Sequence, residues 1–214
     1  MTPLTKKILA AVTVCVLAFV AYYGTYLPLQ KSQSFIGTIR AMGGVRSLEE
    51  LERLFSLALD IPSPIGHEEL VRNMSTEIVS FVGRGGTAPA IEEELSKFVT
   101  RYFAPIITRG KGMSFEQDIY ILGTLQRMVY QHTGKKEYLD AAEQYFLQGL
   151  ELGPRRPQFL YALSDIYLIK QDVPRLKKVT EQIHEQWPGD ARAAAILEAI
   201  QAVTSTPAAS TKKK

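Results

Sequence analysis

A run of 20 uncharged residues near the start of the chain constrains its fold most strongly. Residues 8–27 read ILAAVTVCVLAFVAYYGTYL, with no acidic or basic side chain among them. At about 1.5 Å of rise per residue, a helix of this length crosses a hydrocarbon core of roughly 30 Å. The run therefore predicts one transmembrane helix.

A cleaved signal peptide is the alternative, because Lys6 and Lys7 precede the apolar run. Two observations favour an uncleaved anchor. No small-x-small cleavage motif is found late in the run, and Tyr22, Tyr23 and Tyr26 are typical of the aromatic belt at a membrane surface.

The distribution of charge sets the expected orientation and limits the partners. The short basic tail, residues 1–7, is of a kind that usually stays in the cytoplasm, so we expect a single-pass cell-membrane protein with an extracytoplasmic domain. The net charge of +3 is smaller than the charge of the lysines in the two termini, so the body of the chain is slightly acidic. No nucleic-acid surface is expected. The single cysteine, Cys15, excludes an intramolecular disulfide framework and a cysteine-based zinc site.

The chain after Pro28 follows a helical pattern almost throughout. Apolar residues recur at helical spacing, and no stretch alternates for long enough to form a strand. Ser47 and Glu50 predict a capping box at the start of one helix. We therefore expect an all-α fold, with a helical domain over residues 28–204 and a disordered basic tail over residues 205–214.

Two helix-turn signals recur at a fixed interval in the second half of the chain. Pro154 and Pro188 lie 34 residues apart. A helix over residues 138–153 precedes the first proline, and its small residues Ala142 and Gly149 allow a neighbouring helix to pack closely. The interval indicates a repeated pair of helices.

This pattern resembles the tetratricopeptide repeat, whose helix pairs stack into an α-solenoid. The residues that match the family's small and apolar positions are Ala142, Phe146, Gly149, Leu150 and Leu152. The following repeat keeps the spacing at Leu163, Ser164, Tyr167, Asp172 and Pro188. There Leu176 and Ile183 replace small residues, so we expect wider packing.

The first part of the chain resembles a second family. An apolar span, the sequence Tyr26-Leu27-Pro28-Leu29 and a hairpin that begins at Leu48 look like the end of bacterial O-antigen ligase and polymerase membrane proteins. The many-span catalytic portion of that family has no counterpart in this sequence. The resemblance therefore implies a bacterial cell-envelope setting and not glycosyl transfer.

Candidate binding residues follow from the tetratricopeptide resemblance. Stacked repeats present the first helix of each pair on a concave face, which places Gln158, Tyr161 and Asp165 on the open side. Tyr161 is the strongest candidate, because tyrosine offers a large contact area with little rotamer entropy to lose. The alternative is that Tyr161 only covers the next helix.

These features predict a membrane-anchored scaffold that binds a protein or peptide partner. The alternative is an accessory module of an O-antigen or other surface-polysaccharide ligase or polymerase system, whose partner would be a polysaccharide assembly protein. No spacing of His67, His132 and His184 fits a metal site, so we expect solvated helix residues. We expect no catalytic residues, cofactor or metal, and the protein is not expected to be an enzyme.

Overall fold

The computed structural model describes residues 2–45, 47–112 and 114–205, except for the side chains of the last three. All regular structure in these ranges is helical and no strand occurs in them, which confirms the predicted all-α class. The chain forms two compact units, Met1–Gly112 and Met113–Lys214, called unit 1 and unit 2 below. The predicted disordered tail lies outside the described residues except for Ser205.

Unit 1 begins with one continuous helix. It consists of α1 (Pro3–Ala21), a π-helical turn (Tyr22–Tyr26), α2 (Leu27–Ala41) and a 3₁₀ turn (Met42–Gly44). No residue of α1 is buried. Among the described residues this is the one helix long and apolar enough to cross a membrane, a property that a signal sequence near the N-terminus shares.

The π-helical turn explains how the helix continues through Pro28. Proline has no N–H group, and its ring collides with the carbonyl group four residues earlier in a regular α-helix. That carbonyl belongs to Gly24, which lies inside the π-helical turn. Such wider turns accommodate a proline without ending the helix. The apolar run is therefore joined to the rest of unit 1 by helix and not by a flexible linker.

Three more helices complete unit 1: α3 (Leu48–Leu59), α4 (His67–Gly83) and α5 (Pro89–Arg109). Oγ of Ser47 accepts a hydrogen bond from the backbone N–H of Glu50 at 3.1 Å, which confirms the serine half of the capping box. Helix α3 runs antiparallel to α2. The hydroxyl of Thr38 donates to the carbonyl of Leu54 at 2.9 Å.

Unit 2 contains α6 (Phe115–Thr133), α7 (Lys136–Leu152), α8 (Pro157–Lys170), α9 (Val173–Gln186) and α10 (Ala191–Ser205). Each helix packs against the next one along the chain. Gly134 ends α6 in the left-handed conformation, with φ of 68°, where glycine has no steric penalty. Asp172 caps α9, because its side chain accepts a hydrogen bond from the N–H of Arg175 at 3.1 Å.

The packing of α7 agrees with the expectation for its small residues. Ala142 is fully buried, and Gly149 is buried against the ring of Phe159 on α8. A second close approach involves Gly123 of α6, which the sequence reasoning did not single out. A β-carbon at Gly123 would lie 2.5 Å from Cε1 of Phe146 on α7.

Candidate functional site

The three residues predicted to bind a partner lie along α8 in unit 2. Gln158, Tyr161 and Asp165 are half-buried. The hydroxyl of Tyr161 donates a hydrogen bond to the carboxylate of Asp190, just before α10. The Tyr161 ring is stacked on Trp187, with centroids 6.3 Å apart and 24° between the planes. Tyr161 thus covers neighbouring residues of its own unit.

Asp165 takes part in ion pairs that join three helices of unit 2. Its carboxylate accepts from the guanidinium of Arg127 on α6 at 2.9 Å and from that of Arg192 on α10. The guanidinium of Arg192 also lies 6.0 Å from the centre of the Tyr161 ring. The structure thus brings Tyr161 and Asp165 into one network. Their role in binding a partner stays a prediction.

The electrostatics of this network follow from its hydrogen bonds. The bond to the Asp190 carboxylate raises the pKa of Tyr161, since ionising the donor would break the bond. The same bond, together with the backbone N–H of Ala193 at 2.6 Å, lowers the pKa of Asp190. The Tyr161 hydroxyl therefore keeps its proton at neutral pH and donates it in the hydrogen bond to Asp190.

A shallow cleft of about 600 Å³ lies beside Tyr161. Its lining residues are Pro157, Tyr161, Gln186, Trp187, Pro188, Gly189 and Asp190. The stacked rings of Tyr161 and Trp187 and two prolines make the walls mainly apolar. The cleft is open, so it could hold the edge of a partner but not enclose one.

Unit 1 contains a more enclosed groove of about 780 Å³, which we call the Phe81 groove. It is formed by the end of α2, the start of α3, the end of α4 and the start of α5. Its apolar lining residues are Ile39, Met42, Val45, Leu48, Leu51, Ile78, Phe81, Ile91 and Leu95. Its longest polar side chains are Glu77 and Arg84. The volume is in the range of pockets that bind ligands or a few side chains.

Two side chains make the Phe81 groove unusual. Phe81 and Ile91 are each 40% exposed, whereas the neighbouring wall residues Ile78 and Leu95 are buried. The guanidinium of Arg84 lies 5.7 Å from the centre of the Phe81 ring. Sequence reasoning missed this groove. The one available signal was that Phe81 lies beside the apolar stripe of α4, which ends at Val82.

Two of the three histidines differ from the expectation of solvated helix residues, because His67 and His184 are half-buried, whereas His132 is exposed. His67 is half-buried, and the ammonium group of Lys31 donates to its Nδ1 at 3.1 Å. Lysine is only a donor, so Nδ1 is the unprotonated nitrogen of a neutral ring. Burial, with a further effect of the Lys31 charge, lowers the pKa of His67.

Among the described residues, no group of three or more His, Cys, Asp or Glu could hold a metal ion. The glycine-containing stretch 84–88 joins α4 to α5, and 110–112 follows the end of α5. The absence of an enzymatic activity stays a prediction. Comparisons of the chain with protein-family models, with curated proteins and with solved structures gave no match.

Proposed function

We propose that this protein is a membrane-anchored helical scaffold whose Phe81 groove binds an apolar segment of a protein partner. The observation that carries the proposal is the exposure of Phe81 and Ile91 inside an apolar groove, whose floor residues Ile78 and Leu95 are buried and whose other apolar walls are half-buried. Exposed apolar side chains clustered in a concave site are typical of interaction surfaces.

The membrane anchor is supported by the first helix. Its uncharged run has the length of one span, and its side chains are exposed, so water is an unfavourable solvent for them. The helix continues into α2, which carries the residues at one end of the groove. The anchor would therefore hold the groove at a fixed distance from the membrane, on the extracytoplasmic side.

A tetratricopeptide-like stack is proposed for unit 2. Its support is the packing of consecutive helices and the close approach at Gly149, where the family has a small residue. Such stacks bind partners and have no chemistry of their own. In this view unit 2 is a second binding module, with the Tyr161 cleft as its candidate surface.

Phe81 is preferred over Tyr161 as the partner's main contact because of its neighbours. The hydroxyl of Tyr161 and the carboxylate of Asp165 form bonds inside unit 2, and a partner would have to compete with them. Phe81 presents an apolar ring that makes no hydrogen bond, so a partner would have to displace only the guanidinium of Arg84. Burying such rings is the commonest source of binding energy at protein interfaces.

The test is co-purification of partners with the full chain from detergent-solubilised membranes. Phe81→Gln should abolish recovery of the partner that wild type retains. Leu152→Gln is the matched control, since Leu152 is 46% exposed in the last turn of α7 and lies outside both candidate sites. Equal recovery by wild type and Phe81→Gln would refute the groove as the binding site.

The identity of the recovered partner distinguishes the two functions. A many-span membrane glycosyltransferase would favour the accessory module of a surface-polysaccharide system. Any other protein retained through Phe81 would favour the general scaffold.

A further inference from the structure

The loop between α3 and α4 is hydrogen-bonded to Lys31, which lies near the start of α2. We call Asp60–Gly66 the Ile65 loop. The ammonium group of Lys31 donates to the carbonyl oxygen of Leu59 at 2.6 Å and to that of Ile61 at 2.8 Å. It also donates to Nδ1 of His67, directly after the loop. Lys31 is 3% exposed, so its side chain is enclosed by these contacts.

These bonds fix the position of the loop along the first helix. Lys31 lies four residues after Leu27, about 6 Å along the axis. Helical side chains point toward the N-terminus, so the Lys31 ammonium group lies closer to the level of Leu27 than its own backbone does. Leu27 is 8% exposed, whereas Tyr26 is 53% exposed. The packed part of unit 1 thus begins where the uncharged run ends.

The Ile65 loop presents apolar side chains to solvent at this level. Ile65 is 61% exposed, and Leu57 in the last turn of α3 is 58% exposed. Pro62 and Pro64 are exposed as well, and no charged residue occurs from Ile61 to Ile65. Single exposed apolar residues are ordinary, but a group of them beside the end of a membrane span is not.

We propose that the Ile65 loop enters the headgroup region of the bilayer and forms a second membrane contact. This inference rests on the membrane anchor of the proposed function. The occupant is lipid because the span itself brings the bilayer surface to this level, where Tyr22 and Tyr26 form the aromatic belt. Apolar side chains gain stability at the boundary between headgroups and acyl chains.

The contact does not require anionic lipid. Asp60 accepts a hydrogen bond from Tyr102 at 2.9 Å, and Glu68 is paired with Arg72 and Arg109. The Ile65 loop itself contains no basic residue. With the rigid first helix, the loop gives unit 1 two points of contact and one orientation on the membrane.

The opposite end of unit 1 supplies the matched control. Phe81 lies in a groove with Ile39 and Met42, and Ile39 is 12 residues beyond Leu27. That separation is about 18 Å along α2. Phe81 is an exposed apolar residue of the same unit, but it lies well away from the proposed lipid contact.

The test uses the full chain reconstituted in phosphatidylcholine vesicles. An environment-sensitive fluorophore is attached to Ile65→Cys or to Phe81→Cys, each with Cys15→Ala, and to the native Cys15 in the wild type. Lipids with a quencher near the headgroup or deep in the acyl chain report the depth of each probe. Helicity measured by circular dichroism confirms that each variant is folded.

We expect a blue shift at position 65 and loss of its emission to the shallow quencher. The probe at position 81 should keep its emission with either quencher, whatever shift the apolar groove itself gives it, and the probe at Cys15 should lose its emission to the deep quencher. If Cys15 is deep but the probe at position 65, like the one at position 81, is not quenched, the loop contact is refuted and the anchor stands. If Cys15 is not quenched at all, both the anchor and the loop contact are refuted.

Discussion

The ring of Phe159 on α8 occupies the space that a β-carbon on Gly149 of α7 would need. Phe159 belongs to an aromatic cluster with Phe146 and Tyr120, whose ring centres lie 5.8 to 6.5 Å apart. Phe146 in turn fills the space beside Gly123 on α6. Two glycines therefore set the close spacing of α6, α7 and α8, with aromatic rings packed against their backbones.

The replacement Gly149→Ala should destabilise unit 2. Alanine favours a helix over glycine by about 0.5–1 kcal/mol, but the Phe159 ring would have to move, and overpacking costs on the order of 1–3 kcal/mol. Gly37→Ala is the control, because its added β-carbon in α2 would meet no atom within 4 Å apart from its chain neighbours and the nearby backbone of its own helix. Thermal unfolding of the full chain in detergent should show a lower melting temperature for the first variant and an unchanged or higher one for the second. A gain in stability for Gly149→Ala would contradict this packing.

Local chemistry made the helix ends and the crossing at Gly149 predictable. The side chains of Ser47 and Asp172 accept backbone hydrogen bonds at the start of a helix, and Gly134 adopts a positive φ at the end of one. These properties belong to the residues themselves and do not depend on the tertiary structure. Gly149 was predictable because the interval between Pro154 and Pro188 fixed its register. Gly123 lies in α6, before the part of the chain where that interval applies.

The features that sequence reasoning missed depend on contacts between distant residues. Lys31 and His67 are 36 positions apart, and only the fold shows that they are hydrogen-bonded. The exposure of Phe81 and Ile91 depends on how four helices meet around the groove. Pro28 alone predicts a break, yet the π-helical turn before it keeps the helix intact.

Glu143 is a buried carboxylate that should stabilise unit 2. It is 4% exposed and pairs with Lys170 and Arg175, each at 2.5 Å. Glu143→Gln should lower the free energy of unfolding by about 1–3 kcal/mol, because the amide keeps the shape but loses the charge opposite two cations. Glu181→Gln removes the exposed partner of Lys177 and should change it by less than about 0.5 kcal/mol. A loss for Glu143→Gln no larger than about 0.5 kcal/mol in denaturant titrations would mean that the Glu143 network adds no more stability than an exposed pair.

The stability of unit 1 should fall in mildly acidic solution because of His67. Burial and the Lys31 charge lower its pKa in the folded state below the ordinary value of 6.5. Below 6.5 the unfolded chain therefore binds more protons at this residue than the folded one, so the stability present above 6.5 is lost as pH falls through the folded-state pKa. His67→Asn should flatten this decline between pH 7 and pH 5. Parallel stability curves for wild type and variant would exclude His67 as its source.

The Tyr161 surface combines a predicted binding role with an observed structural one. The double variant Tyr161→Ala, Asp165→Ala should lower the melting temperature, because Trp187 loses its stacked ring and Arg127 and Arg192 lose their shared carboxylate. Tyr161→Phe keeps the ring, so its free energy of unfolding should stay within about 1 kcal/mol of that of wild type.

The binding role is tested with a variant that stays folded. Partner recovery is compared between wild type and Tyr161→Phe combined with Gln158→Ala. Unchanged recovery by that variant would remove this surface from the candidate binding sites.

Photo-crosslinking from the Phe81 groove in intact membranes tests the central proposal most directly. A benzophenone amino acid replaces Phe81 in one variant and Leu152 in another, and both are irradiated before the membranes are washed with alkaline carbonate. A membrane-anchored scaffold predicts that both proteins stay in the washed membranes and that only the probe at position 81 yields a discrete adduct with a second protein. Release of the protein into the wash, or the absence of an adduct at position 81, would contradict the account.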